Sequence, residues 1–561
     1  MRRAFLTVAD RQIHYRHGGE GSPVVMLHPS PLSSTALLPL ASELAKHFRV
    51  YALDTPGYGL SDSPLSRPQS LDDYLPTFAA ALDRLGLRKV CLYGAATGAQ
   101  FAIEFSRRYP ERVELMMIDS AGHIPAEECD AIVRDYFPDV TPQRDGRHLV
   151  TLWQMVRDLF VFFPWCDTRA SRRIDRDLPP PEFMQTMLLD YLRAGPHYDW
   201  AYRPAFYNER AERAQAVRVP AVLTRWEGSV VLRITDALIA AGLPANYRVL
   251  NLGPSMAERI AGISAHLQER LRGEPAPPIP AASTPRHRLG SALIDVRGGQ
   301  LHARMCAEGT GRPVLVLHSP AASAALVEPI ASSWVGTRPV IALDLPGNGE
   351  SDALLADPDV SIENYAQCAH EALDALGISE LDVAGRYSGG DVGLEMSLLR
   401  SGRVRHLAFL GVPLFAAAER DELLANYTPS IAPRADGTHL ISAWYMMRDQ
   451  GLWFPYTRTT RAGILHQDAD LKAEFIHKRV VEVMKMGDRY RRAYAAEFRY
   501  PLAERLARAG CQITLGSAAW EALRHKLAEG LAIQPRAQRL DLVPQFSGWA
   551  AQLDAGWSRH A

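Results

Sequence analysis

A chain of 561 residues is several times longer than one hydrophobic core requires, so more than one domain is expected, and two of about 270 residues fit the α/β size range. A formal net charge of -1 leaves no field to recruit nucleic acid or an anionic membrane, which excludes both as partners. The N-terminal stretch lacks the pattern of a secretory signal, no apolar run approaches the roughly 20 residues that span a bilayer, and the six cysteines are scattered without a metal- or redox-type pair, so the expectation is a cytoplasmic protein with no cofactor and no metal.

In chain order, residues 23–28 and 49–54 read as short buried strands, 71–85 as a helix, 89–94 as a strand, 98–109 as a helix and 113–119 as a strand. About 100 residues rich in aromatic and charged side chains follow (120–219), before strand patterns resume at 221–225 and 247–252. An insertion between strands of a nearly finished sheet reads as a lid. A proline-rich, apolar-poor stretch then runs from Arg272 to Gly290 and is expected to be an extended, exposed linker. Beyond it the pattern repeats, with strands at 314–318, 340–344 and 381–385, a lid at about 413–510 and a strand at 512–516. A shift of 290 carries Leu27 and His28 onto Leu317 and His318, and the run Asp54, Pro56, Gly57, Gly59, Ser61, Asp62 onto Asp344, Pro346, Gly347, Gly349, Ser351, Asp352; a shift of 291 carries Gly94 and Gly98 onto Gly385 and Gly389. Chance does not keep Gly, Pro, Asp and His in register this long, so the chain is an internal duplication. The expected domains are 1–272 and 291–561, each a mostly parallel sheet flanked by helices, arranged as an intrachain pseudo-dimer.

These residues resemble the α/β-hydrolase superfamily, over nearly the whole chain and twice. The Asp54–Asp62 and Asp344–Asp352 stretches match the turn after the family's fourth strand, where the glycines permit a tight turn that Asp62 or Asp352 is expected to cap. The family's Gly-x-Ser-x-Gly elbow exposes a nucleophilic serine between strand and helix. Here the first copy reads Gly94-Ala95-Ala96-Thr97-Gly98, with Ala96 at the nucleophile position, and the second reads Gly385-Arg386-Tyr387-Ser388-Gly389, with Tyr387 there. Thr97 and Ser388 keep a hydroxyl one residue later, expected to cap the following helix. The triad acid is expected just after the sixth strand, where Glu227 is the carboxylate within reach, and neither copy has a histidine after its last strand. Without nucleophile, base and orienting acid, acyl-enzyme chemistry lacks its proton pathway. At the oxyanion loop, Ser30 can lend a backbone N–H in the first copy, whereas the second has Pro320, which has none. His28 and His318 are expected to brace that loop.

The lids share Asp145, Gly146, His148, Leu149, Trp153, Met155, Arg157 and Asp158 with Asp436, Gly437, His439, Leu440, Trp444, Met446, Arg448 and Asp449, and Tyr202 with Tyr494. Trp153 and Arg157 lie one helical turn apart, where a guanidinium beside an indole holds a carboxylate or stacks on a planar group; the alternative is that the tryptophan packs the lid while Arg157 pairs with Asp158. The candidate catalytic residues are Tyr387, its pKa lowered by Arg386, and Ser388. His28, Ser30, Thr97, His148, Trp153, Arg157, Tyr202, His318, Arg386, His439, Trp444, Arg448 and Tyr494 are the candidate substrate contacts. Three functions remain open: lyase-, decarboxylase- or isomerase-like chemistry on a small carbonyl or carboxylate-bearing compound, a non-catalytic ligand-binding module, and an atypical hydrolase using Ser388 or Ser30 with a lid histidine as base.

Overall fold

The computed structural model describes residues 1–281 and 284–558 and divides the chain into two compact units, Met1–Thr141 with His148–Ser283 and Pro142–Arg147 with Thr284–Ala561. The linker expected at 272–290 lies partly outside the described residues, at 282–283; its described residues carry no helix or strand before Gly290, and it is tied to the first unit where the Ser22 hydroxyl donates to the Gly273 carbonyl at 2.7 Å.

In the first unit, β1 (Arg2–Val8), β2 (Arg11–Gly18), β3 (Pro23–Leu27), β4 (Arg49–Leu53), β5 (Val90–Ala95), β6 (Val113–Asp119), β7 (Ala221–Trp226) and β8 (Tyr247–Leu252) form one sheet in the order β1-β2-β4-β3-β5-β6-β7-β8. The N-terminal hairpin β1–β2 is antiparallel, as is β2 on β4, and the remaining pairs are parallel. The second unit repeats that order with β9 (Gly290–Val296), β10 (Gly299–Cys306), β11 (Val314–Leu317), β12 (Val340–Leu343), β13 (Leu381–Arg386), β14 (Val404–Leu410), β15 (Gln512–Ala518) and β16 (Gln538–Leu542). The central strands are continuous apolar runs because helices cover both faces; β3 and β11 are buried at every residue. The chain is therefore two tandem α/β-hydrolase folds. The hairpins that open each sheet escaped the sequence reading, since their mixed charge hides a short alternation.

Between β6 and β7, and between β14 and β15, helices replace strands: Ala126–Tyr136, Arg147–Asp158, Pro181–Ala194 and Tyr202–Asn208 in the first insertion, and Ala417–Asn426, Thr438–Asp449, Ala473–Met486 and Tyr490–Arg499 in the second. Each turn after β4 and β12 is held by a buried aspartate. Asp54 accepts from the Ser34 and Leu60 backbone N–H groups at 2.7 and 2.9 Å and contacts His14 Nδ1 at 2.7 Å. Asp344 repeats this with Ala324, Glu350 and His302. A Cβ on Gly59 would fall 2.1 Å from Asp54 Oδ2, which is why glycine stands there. Asp62, expected to cap the turn, instead accepts the Gln12 N–H of β2 at 2.9 Å, as Asp352 accepts that of Gln300 at 2.8 Å.

Candidate active site at the two elbows

Both strand-to-helix turns keep the strained elbow: Ala96 has φ +49° and Tyr387 φ +45°, a conformation that costs an L-residue on the order of 1–3 kcal/mol. The turn closes only because its glycines lack side chains; a Cβ on Gly94 would lie 2.1 Å from the Gly98 carbonyl oxygen. Ala96 and Tyr387 occupy the N-cap positions of helices Thr97–Arg108 and Ser388–Leu399, so Thr97 and Ser388 are the first helical residues, both buried, and not the caps that the sequence led us to expect.

In the second unit the Tyr387 ring lies against Gly411, the residue after β14, and the Arg386 guanidinium sits 4.7 Å from its ring centroid. Arg386 forms an ion pair with Glu521, whose side chain is fully buried, and lies 5.7 and 5.4 Å from the Trp520 and Trp549 ring centroids. Burial, with the negative charges of Glu521 and Glu497 added, raises the Tyr387 phenol above its ordinary range and outweighs Arg386. The lowering expected from Arg386 is thus outweighed. Glu497, on the insertion helix Tyr490–Arg499, is pushed by burial up to about 8, with the nearby Ser388 backbone acting in the opposite direction. Asp391, one turn further along the elbow helix, is buried with both carboxyl oxygens lacking a hydrogen-bond partner, and burial beside Glu497 and Glu395 drives it well above the carboxylate range.

In the first unit Asp119, at the end of β6, accepts from Tyr93 Oη at 2.9 Å and from Arg259 Nε at 2.8 Å, and its backbone carbonyl accepts the Ala96 N–H at 2.9 Å. Arg259 stacks 4.9 Å from the Trp226 ring centroid. Each copy therefore places a carboxylate–guanidinium pair on a tryptophan beside its elbow, built from different positions: Asp119 with Arg259, and Glu521 with Arg386. Glu227 is exposed, so it is Asp119 that occupies this corner. Glu521 follows Trp520 as Glu227 follows Trp226, so an acidic residue directly after a tryptophan marks both copies in the sequence. Glu497 and Asp391 carry no motif and are found only through their burial.

The other expected contacts fall into two groups. His28 and His318 use both ring nitrogens on backbone: Nδ1 of His28 bonds the Pro29 carbonyl at 2.8 Å while Nε2 accepts the Thr55 N–H at 2.9 Å, and His318 does the same with Ser319 and Leu345. Burial holds both neutral, which makes them braces. Ser30 is buried in the same loop. His148, Trp153, His439 and Trp444 are all buried in the insertions, and His439 Nδ1 accepts the Arg434 N–H at 3.1 Å. Arg157 and Arg448 sit 3.8 and 2.7 Å from Asp158 and Asp449, so the packing-and-pairing alternative describes both helices. Tyr202 Oη lies 2.7 Å from Tyr136 Oη, and Tyr494 packs on Tyr427 with ring centroids 5.3 Å apart.

The model of the family described as alpha/beta hydrolase fold matches residues 22–152 and again 312–438, and the chain belongs to that superfamily, as a tandem duplication. Over 131 residues it is 31% identical to a 2-hydroxy-6-oxo-2,4-heptadienoate hydrolase of Pseudomonas putida, covering 22% of this chain and 48% of that protein. Over 160 residues it is 36% identical to a haloalkane dehalogenase of Agrobacterium fabrum, covering 28% and 50%, and over 129 residues 31% identical to a cis-3-alkyl-4-alkyloxetan-2-one decarboxylase of Shewanella oneidensis, covering 22% and 41%. The matched stretch spans about half the length of these curated relatives or less. Among solved structures, Epoxide Hydrolase A from Mycobacterium thermoresistibile is similar with 20% identity and a TM-score of 0.39, covering 48% of this chain and 98% of that one. Among the described residues no helix is long and apolar enough to cross a membrane, and no group of His, Cys, Asp and Glu is placed to hold a metal ion.

Proposed function

We propose that the second copy is an acid–base site that moves protons on a small carbonyl compound bearing a carboxylate, in lyase-, decarboxylase- or isomerase-like chemistry, and that neither copy retains a Ser-His-acid relay. The observation that carries this reading is Tyr387 at the strained elbow, with φ +45°, and the buried carboxyl of Glu497 acting on its phenol. In an acyl-transferring relative the N–H of the residue after the nucleophile and one from the oxyanion loop bind the oxyanion. Here the loop residue that would supply the second donor is Pro320, which has none. The groups beside the elbows point the same way: an arginine stays protonated at any physiological pH, so Arg259 and Arg386 cannot draw a proton from a nucleophile as an imidazole does.

In this reading Tyr387 donates its O–H proton to the substrate carbonyl oxygen while the ionised fraction of Glu497 takes a proton from the adjacent carbon; the C–H electrons form the C=C bond of the enol, and the C=O π electrons pass to the new O–H bond. Return of both protons gives exchange at that carbon, delivery of the carbon proton to the far end of a conjugated enol gives an isomerisation, and loss of CO2 from a 3-oxo acid in place of the C–H proton gives a decarboxylation through the same enol. A titration near 8 suits a group that must both give and take a proton near neutrality. The Pseudomonas relative is named for an oxo-carboxylate, which fits the substrate class.

The first copy supports a second reading, a binding domain without chemistry. Superposing the matched helices by sequence places Ala96 opposite Tyr387 and Ala205 opposite Glu497, so both proposed proton carriers have a methyl group as counterpart. Solvent-deuterium exchange followed by NMR into pyruvate, phenylpyruvate and acetoacetate tests the proposal. Exchange or CO2 release by the whole protein, lost at least a hundredfold in Tyr387→Phe and in Glu497→Gln, supports it; unchanged rates in both variants, or no reaction with any of these compounds, overturns it.

A further inference from the structure

The two copies keep one charged pair on the flank of the elbow helix and complete it differently. Glu104, on the helix Thr97–Arg108, and Glu395, on the helix Ser388–Leu399, hold equivalent positions and are 4% and 2% exposed. Each meets an arginine from the same short run of letters, Ala211-Glu212-Arg213 in the first copy and Ala503-Glu504-Arg505 in the second. In the second copy Glu395 Oε1 lies 3.2 Å from Arg505 Nε and accepts the Tyr500 hydroxyl at 2.7 Å. In the first copy Arg107 donates to Glu104 Oε2 at 2.5 Å, but Oε1 is buried without a hydrogen-bond partner, 3.6 Å from Arg213 Nη1. The residue opposite Tyr500 is Asn208, whose Nδ2 donates to Gln100 Oε1 at 2.9 Å and not to the carboxylate. A buried carboxylate oxygen without a donor bears a desolvation cost that a hydrogen bond would offset, and the second copy shows which donor suits this position: a phenol.

A cavity of about 380 Å³ opens at this place in the first unit. Glu104, Asn208 and Arg213 line it together with Arg67, Trp200 and Tyr207. Trp200 is fixed by stacking on His197, with ring centroids 4.0 Å apart, and Tyr207 is 46% exposed. The second copy has Arg492 and Arg499 at the positions of these two aromatic residues, so the ring walls occur only in the copy whose carboxylate lacks its phenol. The volume falls at the small end of the roughly 300–1,000 Å³ range of ligand sites, which suits a single ring.

We propose that this cavity is a binding site for a small phenol, one ring with a free hydroxyl, whose O–H donates to Glu104 Oε1 as the Tyr500 hydroxyl donates to Glu395, with the ring against Trp200 and Tyr207. The site lies about two helical turns beyond Ala96 on the elbow helix, and it requires no chemistry at either elbow. The carboxylate selects a ligand that donates, because an ether or a bare hydrocarbon ring leaves Oε1 without a partner and a phenolate is repelled by it.

Ligand-observed NMR titration of the full chain with p-cresol, which is the tyrosine side chain by itself, and with 4-methylanisole, in which the hydroxyl is methylated, tests this. p-Cresol is expected to bind at least fivefold more tightly than the ether. Asn208→Tyr installs the cap of the second copy and is expected to abolish p-cresol binding, whereas Glu104→Gln, whose amide can donate to the ether oxygen, is expected to bring the two ligands within twofold of each other. Tyr387→Phe is expected to leave both affinities unchanged. No p-cresol binding, equal affinity of the two ligands for the unaltered chain, a hydroxyl preference that survives Glu104→Gln, or binding kept in folded Asn208→Tyr overturns the proposal, and so does loss of p-cresol in Tyr387→Phe, which would place the ring at the other elbow. If Asn208→Tyr does not fold, Glu104→Gln decides, since a ratio of two ligands on one protein is independent of the amount folded.

Discussion

The ring of Tyr387 rests on the backbone of Gly411: a Cβ at position 411 would fall 2.7 Å from Tyr387 Cε1 and 3.0 Å from Cδ1. The corresponding pair in the first copy is Ala96 with Ser120, so a small elbow residue goes with a side chain on the next strand end, and a large one with none. Gly411→Ala is expected to destabilise the second unit by about 1–3 kcal/mol through overpacking and a left-handed backbone. Adding Tyr387→Ala should recover the overpacking part, and a double-mutant cycle by denaturant unfolding measures that coupling; additive effects would mean the ring and the backbone do not compete.

The Arg386–Glu521 pair is buried and should be costly to break from one side. Glu521→Leu alone leaves a guanidinium among Trp520, Trp549 and Phe546 and is expected to cost about 3–5 kcal/mol, whereas Arg386→Met with Glu521→Leu should come close to the parent stability. Equal losses in the single and double variants by urea unfolding would contradict this.

Four buried carboxyl groups, Asp391 among them, give the pH dependence its sign above pH 6.5. Burial raises Asp190 to about 6, and Glu209 and Glu497 to about 8. Between the ordinary carboxylate range and those values the folded chain binds more protons than the unfolded one, so stability is full at the acid side of the window and falls as pH rises through it, by at most about 1.4 kcal/mol per pH unit for each group. Asp54 and Asp344 shift the other way, lowered chiefly by His14 and His302 against their burial, and contribute stability that is lost as pH falls below the ordinary range. A melting temperature that drops from pH 6.5 to 8.5, above the range in which the buried His14, His28 and His318 act in the opposite direction, with a shallower drop in Glu209→Gln, is the expected calorimetric result; a flat profile would refute it.

Restoring a serine should not restore hydrolysis. Ala96→Ser puts a hydroxyl on an elbow whose neighbouring Asp119 already holds Arg259, which cannot accept its proton. Hydrolysis of p-nitrophenyl acetate is expected to stay within twofold of the parent chain, with no fluorophosphonate labelling at position 96. A tenfold gain would show that a base reaches this elbow after all.

Much of the architecture was legible because it rests on residues that tolerate no exchange. Glycines 94 and 98 are forced by the close approach of strand and helix, and Gly59 by the Asp54 carboxylate, so the repeat and the fold stand out in one dimension. The site was less legible. Arg157 and Arg448 resembled ligand contacts by their shared lettering, yet their guanidiniums pair with the next residue in the chain.

By itself the amino-acid order determined the duplication, the parallel sheets with helical insertions, and the presence of Ala96 and Tyr387 at the two strand-to-helix turns, because periodicity and turn chemistry are local. Only the tertiary structure decided that burial makes Tyr387 a weaker acid, that Glu497 is buried where its charge acts on that phenol, and that Arg386 pairs with Glu521. Those facts depend on burial and on charges brought together from 90 or more positions apart, where the electrostatic balance belongs to the assembled interior and to no stretch of sequence.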